Sequence, residues 1–127
     1  MKTTENKHMT QEQKHWKTIE DAKWDFDHDY ERIAYDWGQM SAKEFKALEE
    51  FIRNKHFELA EKFHDAWLGL DDNGGIPLSD DSWHDLLAEI VGKGERFYNS
   101  ITIEKIKEMA INNDYEECFL YCLHVNR

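Results

Sequence analysis

Apolar and aromatic side chains recur at alternating steps of three and four residues along the stretch from Trp16 to Met40. This spacing places them on one face of an α-helix and is typical of a helix that packs against other helices. The positions of the repeat are Trp16, Ile19, Lys23, Phe26, Tyr30, Ile33, Trp37 and Met40, of which Lys23 alone is charged. We therefore expect one long amphipathic helix from about Thr10 to Gly38, where the glycine and the polar residues after it supply a stop.

The same stretch carries an excess of acids. Its seven acids are Glu20, Asp21, Asp25, Asp27, Asp29, Glu31 and Asp36, against two bases, Lys23 and Arg32. None of the acids falls in the apolar repeat, so we expect an acidic outer face. Trp24 and Tyr35 also lie off the repeat. We expect them to be exposed among the carboxylates, as in a protein interface where aromatic side chains anchor the partner and charges steer it.

The overall charge points to the same kind of partner. The chain has 127 residues, the size of one domain, and a formal net charge of -11. Such an excess of acids disfavours binding to nucleic acid or to an anionic membrane surface and favours a basic partner. Hydrophobic residues make up 40% of the chain, so we expect it to fold and not to remain a disordered acidic tail.

A second helix is expected to begin after Ser41. The segment Ser41-Ala42-Lys43-Glu44 has the pattern of a capping box, in which the serine and glutamate side chains accept hydrogen bonds from each other's backbone N–H. Helical spacing then continues to about Leu68. The charges of this helix nearly balance, with four-residue pairs such as Glu49 with Arg53 and Glu58 with Lys62.

A turn-rich stretch from Gly69 to Asp81 follows and contains the only proline of the chain, Pro77. Its glycine, asparagine and aspartate residues indicate a surface loop. A second group of acids begins here and consists of Asp71, Asp72, Asp80, Asp81 and Asp85. We expect this group to be exposed.

A third helix is expected from about Ser82 to Ile101, although Gly92 and Gly94 lie inside it. Each glycine costs a helix about 1 kcal/mol relative to alanine. The two glycines therefore either end the helix near Lys93 or let a neighbouring helix approach closely.

Two short helices complete the prediction, one capped by Thr102 and one by Asp114. No convincing alternation of apolar and polar residues indicates a strand. The predicted fold is all-α, a single-domain bundle of about five helices in which two long N-terminal helices pack with shorter C-terminal ones. We expect residues 10–127 to form this domain and residues 1–9 to form a flexible arm.

The cellular compartment is inferred from what the chain lacks. No apolar run approaches the about 18 residues of a membrane span, and the first residues have no apolar signal region. Cys118 and Cys122 are four apart on an expected helix, where a disulfide would be strained. These features predict a cytoplasmic protein with free thiols.

The predicted helices determine whether residues with the spacing of a metal or catalytic site can point toward one another. Asp25 and His28 have the acid-x-x-His spacing found in di-iron bundles, and two similar pairs occur, Glu61 with His64 and Asp81 with His84. On one continuous helix Asp25 and His28 would point away from the packed face, so we expect no metal site. No nucleophile has a base in a suitable local context, and we expect neither a catalytic residue nor a cofactor.

Two resemblances add to this interpretation. The segment from Trp83 to Tyr98, followed by residues 113–123, looks like a pattern from small uncharacterised bacterial domains, which implies no activity. In size, acidity and helical content the chain resembles immunity proteins that neutralise nuclease toxins of the colicin or contact-dependent growth-inhibition type. That resemblance implies inhibition of a toxin and assigns no residue a role.

The leading hypothesis is an acidic protein that inhibits a basic partner, as an immunity protein does when it masks the nucleic-acid-binding cleft of a nuclease toxin. The expected contact residues are Asp25, Asp29, Glu31, Asp36, Asp71, Asp72, Asp80 and Asp81, with Trp24 and Tyr35 as aromatic anchors. One alternative is a phage-encoded inhibitor of a host defence system that binds nucleic acid, such as an anti-restriction or anti-CRISPR DNA mimic. A helical-bundle enzyme or metal protein, or an oligomerisation module, are the others.

Overall fold

The computed structural model describes residues 9–70, 74–116 and 118–125. Its regular structure is helical throughout these ranges, with no strand, so the predicted all-α class is confirmed. The predicted N-terminal arm lies outside the described residues except for Met9. The elements are α1 (Gln11–Asp21), α2 (Trp24–Asp27), α3 (Tyr30–Trp37), α4 (Ala42–Lys62), α5 (His64–Leu68), α6 (Asp80–Gly92), α7 (Glu95–Ser100), α8 (Ile103–Asn112) and a final 3₁₀ helix (Phe119–Leu123).

The prediction of one long helix from Thr10 to Gly38 is wrong, because the chain breaks this segment twice. Lys23 has φ 55° and His28 has φ 51°, both in the left-handed region that L-residues rarely adopt. The single-turn helix α2 lies between these two residues. Each left-handed residue interrupts the helical geometry, so the spacing of the apolar repeat is not maintained across it.

The breaks decide which side chains reach the core. Of the predicted repeat, Trp16, Ile19, Ile33 and Trp37 are buried, whereas Phe26 is 84% exposed. Trp24, expected on the surface, is only 1% exposed. The expectation that Phe26 packs inside and Trp24 outside is thus wrong for both residues, since α2 presents the opposite face to the one that a continuous helix would present.

Helix α6 lies at the centre of the fold. Every residue from Leu86 to Gly92 is buried, which is typical of a helix surrounded on all sides. It packs against α4, against α7 and against the 3₁₀ helix, while α3 packs against the 3₁₀ helix. At the N-terminal end of α6, the Trp83 ring stacks on the Trp67 ring at 5.5 Å. Its C-terminal end faces α2.

The second predicted helix is largely confirmed. Ser41 and Glu44 form both hydrogen bonds of the expected capping box at the start of α4. Helix α4 ends at Lys62, and α5 continues almost directly to Leu68. Glu49 pairs with Arg53 at 3.3 Å, as predicted. Glu58 instead accepts a 2.7 Å hydrogen bond from the hydroxyl of Tyr98 on α7.

Both consequences predicted for the glycines of the third helix occur together. Helix α6 ends at Gly92 and α7 begins at Glu95, so the chain does break near Lys93. A Cβ on Gly92 would also lie 2.7 Å from Trp24 Cδ1 and 2.9 Å from Phe119 Cδ1. Gly92 is therefore required by the close approach of two aromatic rings.

The C-terminal prediction is correct for one cap and wrong for the other. The Thr102 side chain accepts from the backbone N–H of Lys105 and caps α8, as expected. Asp114 caps no helix. The chain continues in irregular structure through Glu116, and the last element is a 3₁₀ helix with Cys118 at its N-cap position.

Candidate functional site

Most carboxylates of the acidic N-terminal segment contact a base within the protein. Asp21 pairs with Lys17 at 2.9 Å, and Asp25 pairs at 2.8 Å with Lys93, the residue that follows α6. The Arg32 guanidinium lies 2.9 Å from Asp27 and 3.9 Å from Asp36. Its hydrogen bonds to Asp27 lower the pKa of that carboxyl group. The expectation that these acids remain unneutralised is therefore wrong for most of them individually.

The other three acids of this segment differ in their contacts. Glu20 accepts from the backbone N–H of Glu95 at 2.9 Å, and Asp29 caps α3 by accepting from the backbone N–H of Arg32 at 3.1 Å. Glu31 is exposed, and within the described parts of the chain it makes no ion pair. It is the carboxylate of this segment best placed to meet an external cation.

The two predicted aromatic anchors, Tyr35 and Trp24, differ in solvent exposure. Tyr35 is 71% exposed, as an anchor for a partner should be. Trp24 is buried, and its ring packs edge to face on Phe119 at 5.4 Å. Trp24 therefore belongs to the core, and the prediction that it contacts a partner is wrong.

An open groove runs between α3 and the 3₁₀ helix, with a volume of about 530 Å³. Its lining residues are Tyr30, Glu31, Ala34, Tyr35, Gly38, Gln39, Tyr121 and His124. The rings of Tyr30 and Tyr121 meet edge to face at 5.3 Å and connect its two walls. The groove thus combines tyrosine rings with the unpaired carboxylate of Glu31.

Of the second acidic group, Asp80 and Asp81 do not join the acids around Asp25. Asp71 and Asp72 lie outside the described residues, so their predicted role stays untested. Asp80 and Asp81 are exposed at the N-terminal end of α6. Lys93, which holds Asp25, follows the opposite end of that helix, roughly 20 Å away along its axis. Asp80 and Asp81 therefore lie apart from the Asp25 region.

A buried carboxylate that the sequence interpretation missed lies beneath α2. Glu89 is 2% exposed and is the buried charged residue among those the structure describes. Its Oε1 accepts from the Trp24 indole N–H at 3.0 Å and from the Glu116 backbone N–H at 3.3 Å. Its Oε2 lies 3.2 Å from His28 Nε2 and 3.7 Å from Lys93 Nζ. A glutamate within the apolar run from Leu86 to Val91 was the available signal.

The direction predicted for His28 is also wrong. A continuous helix would turn both side chains away from the protein, whereas the breaks around α2 turn His28 toward Glu89. The ligand-type atoms of Asp25, His28 and Glu89 all lie within 4.8 Å of one another. The geometric reason for dismissing the Asp25-x-x-His28 pair therefore does not hold.

Two further sets of titratable side chains are present, one partly buried and one buried. His56 Nε2 lies 3.3 Å from the backbone oxygen of His84 and 3.3 Å from its Nδ1. Burial lowers the pKa of His56, and the neighbouring His84 lowers it further. Burial raises the pKa of Cys118 to about 11 and that of Cys122 to about 12, so both thiols are protonated at neutral pH.

The fold and these side chains define an all-α domain with a tyrosine-lined acidic groove and a buried carboxylate network. Comparisons with protein-family models, with curated proteins and with solved structures found no match. Over the residues described, no helix is both long enough and apolar enough to cross a membrane.

Proposed function

We propose that this protein binds a basic protein partner through the groove between α3 and the 3₁₀ helix. The observation that carries this proposal is the position of Glu31, an exposed carboxylate at the groove with no ion-pair partner among the described residues. Tyr35 and Tyr121 line the same groove. Aromatic rings and a carboxylate together suit a lysine or arginine side chain, because the ring faces attract cations.

The charge of the surrounding segment supports the same partner class. This region has eight carboxylates, the seven acids of the segment and Glu89, against four bases, Lys17, Lys23, Arg32 and Lys93, and three of these bases form ion pairs with them, namely Lys17, Arg32 and Lys93. Internal ion pairs therefore leave an excess of negative charge on this side of the protein. Such an excess accelerates the encounter with a basic protein, and salt weakens the attraction.

The specific form of the proposal is an immunity protein in the cytoplasm that covers the active cleft of a nuclease toxin. In that role Glu31 would take the position of a nucleic-acid phosphate, and Tyr35 would anchor the complex. Large exposed aromatic side chains at the centre of an interface commonly carry much of the binding energy. Asp29 and Asp36 would contribute to steering rather than to direct contact.

The test begins with capture of a partner from the native host or from a strain that expresses the neighbouring gene. Binding of the purified partner is then measured for the wild type, Glu31→Lys and Tyr35→Ala at rising salt. We expect each variant to bind at least about tenfold more weakly, and wild-type affinity to fall with salt.

Glu50→Lys is the matched control. Glu50 is an exposed acid on α4 whose closest ion-pair contact is Lys46 at 4.0 Å, and it does not line the groove. Its reversal should leave affinity close to that of the wild type. Equal loss in Glu50→Lys and Glu31→Lys would contradict the groove as the binding site, and an affinity that does not fall with salt would contradict a basic partner.

A further inference from the structure

Around the buried Glu89 carboxylate, three side chains of the types that bind metal ions come together from α2 and α6. His28 Nε2 and Glu89 Oε2 are 3.2 Å apart, and Asp25 contributes a third ligand-type atom within 4.8 Å of both. A zinc ion bound at about 2.1 Å holds tetrahedral ligands about 3.4 Å apart. The His28–Glu89 pair therefore already has the spacing of two metal ligands. The Asp25 side chain is 53% exposed and can close the remaining distance.

We propose that Asp25, His28 and Glu89 form a binding site for a divalent first-row metal ion such as Zn²⁺. One imidazole and two carboxylates are ligands that such ions accept, and solvent would supply the remaining position. The site is independent of the groove and of the partner proposed for it.

Two hydrogen bonds hold Oε1 of Glu89, the carboxylate oxygen that does not face His28. The Trp24 indole N–H and the Glu116 backbone N–H both donate to Oε1. These two donors fix the plane of the carboxylate and leave Oε2 directed at His28. Hydrogen bonds of this kind orient metal ligands before the ion arrives and increase affinity.

The charge of the cluster indicates that a cation belongs there. The Lys93 ammonium lies 2.8 Å from Asp25 and 3.7 Å from Glu89, so it occupies the space between the two carboxylates. A single ammonium balances one of these two negative charges, whereas a divalent ion balances both. In this same position the Lys93 ammonium lies 5.4 Å from the centre of the Phe97 ring. Metal and Lys93 therefore compete for the cluster.

This competition distinguishes a metal site from a purely structural network. If Lys93 is the permanent counter-ion of the cluster, its removal only leaves two carboxylates unbalanced. If the cluster binds a metal ion, removal of the ammonium strengthens that binding, because a repelling charge has gone.

The experiment is a calorimetric titration of the full chain with Zn²⁺, with the visible absorption of Co²⁺ as a second probe of direct coordination. Lys93→Met should bind Zn²⁺ at least about tenfold more tightly than the wild type. Glu89→Gln and His28→Asn should bind it at least about tenfold more weakly. Asparagine suits the left-handed backbone of residue 28, so that variant should keep its fold, which circular dichroism checks.

His64→Ala is the matched control, because Glu61 and His64 have the same acid-x-x-His spacing and both are exposed. It should bind Zn²⁺ as the wild type does. The proposal is overturned if neither the wild type nor Lys93→Met binds Zn²⁺, if Lys93→Met binds no more tightly, or if His64→Ala loses as much affinity as His28→Asn.

Discussion

The indole Nε1–H of Trp24 donates a 3.0 Å hydrogen bond to Oε1 of Glu89, a residue 65 positions further along the chain. This contact joins α2 to the central helix α6. It also explains why a tryptophan from an acidic surface segment is buried. The Glu89 carboxylate therefore fixes the segment between the left-handed residues Lys23 and His28 to the core.

Replacing Glu89 with alanine should destabilise the fold by about 3 kcal/mol, because the Trp24 N–H loses its acceptor where water cannot replace it. Glu89→Gln should cost less, since an amide oxygen can still accept from Trp24. Urea denaturation measures both. Glu50→Ala, at an exposed position on α4, should change stability by no more than about 0.5 kcal/mol. Equal midpoints for Glu89→Ala and the wild type would contradict the structural role of Glu89.

Gly92→Ala should destabilise the protein by about 1 to 3 kcal/mol, although alanine normally favours a helix. The added methyl group would overlap Trp24 Cδ1 and Phe119 Cδ1. Thermal unfolding gives the measurement. Asn54→Ala, on the exposed side of α4, isolates helix propensity and should be neutral or slightly stabilising. A Gly92→Ala protein as stable as the wild type would mean that the rings can move apart.

Lys23→Gly should stabilise the protein by up to about 1 kcal/mol, because glycine adopts the left-handed conformation of residue 23 without steric strain. Chemical denaturation can resolve a change of this size. The same substitution at Lys46, in the interior of α4, should instead cost up to about 1 kcal/mol. If both substitutions destabilise equally, residue 23 is helical in solution and the break before α2 is absent.

Stability should fall as the pH drops below about 6.5, the usual pKa of histidine. The pKa of His56 is lower in the folded protein than in the unfolded chain, so the unfolded chain binds a proton first and gains free energy from it. The loss levels off below the folded pKa. Thermal midpoints recorded across this range should show a shallower slope for His56→Gln, with the remainder due in part to His15, whose pKa burial also lowers.

His64→Gln removes an exposed histidine and should retain the wild-type slope. A slope that is unchanged in His56→Gln would show that this histidine does not carry the pH dependence.

Cys118 and Cys122 should react slowly with a thiol reagent in the folded protein at pH near 8, because burial holds both pKa values well above that pH. Unfolding in urea should expose both thiols and make the reaction fast. The difference is followed by absorbance. Rapid reaction of two thiols without denaturant would contradict the burial of these residues.

The features that could be predicted from the sequence depend on residues close together in the chain. The caps at Ser41 and Thr102 and the pair of Glu49 with Arg53 each involve a separation of three or four residues. Local hydrogen bonds and helix geometry determine them, so the residue types are sufficient. The all-α class follows for the same reason.

The candidate site was less predictable, because its parts meet through distant contacts. The exposure of Tyr35 was correctly expected, whereas no pattern in the sequence brings Tyr121 and His124 to the same groove. No glycine or proline marks the break at Lys23 or at His28. Both breaks depend on the fit of Trp24 against Gly92, Phe119 and Glu89, which lie far away in sequence.

The sequence by itself determined the helical class, the helix starts after Thr10, Ser41 and Thr102, and the net charge, because these depend on local geometry and composition. The tertiary structure alone decided where the first helical segment breaks, which acids are paired and where His28 points. Packing provides the physical reason. Burial of the Trp24 ring and the hydrogen bonds of the Glu89 carboxylate stabilise the fold enough to offset the strain of two left-handed backbone residues. The local helix propensity of the sequence contains no information about these long-range contacts.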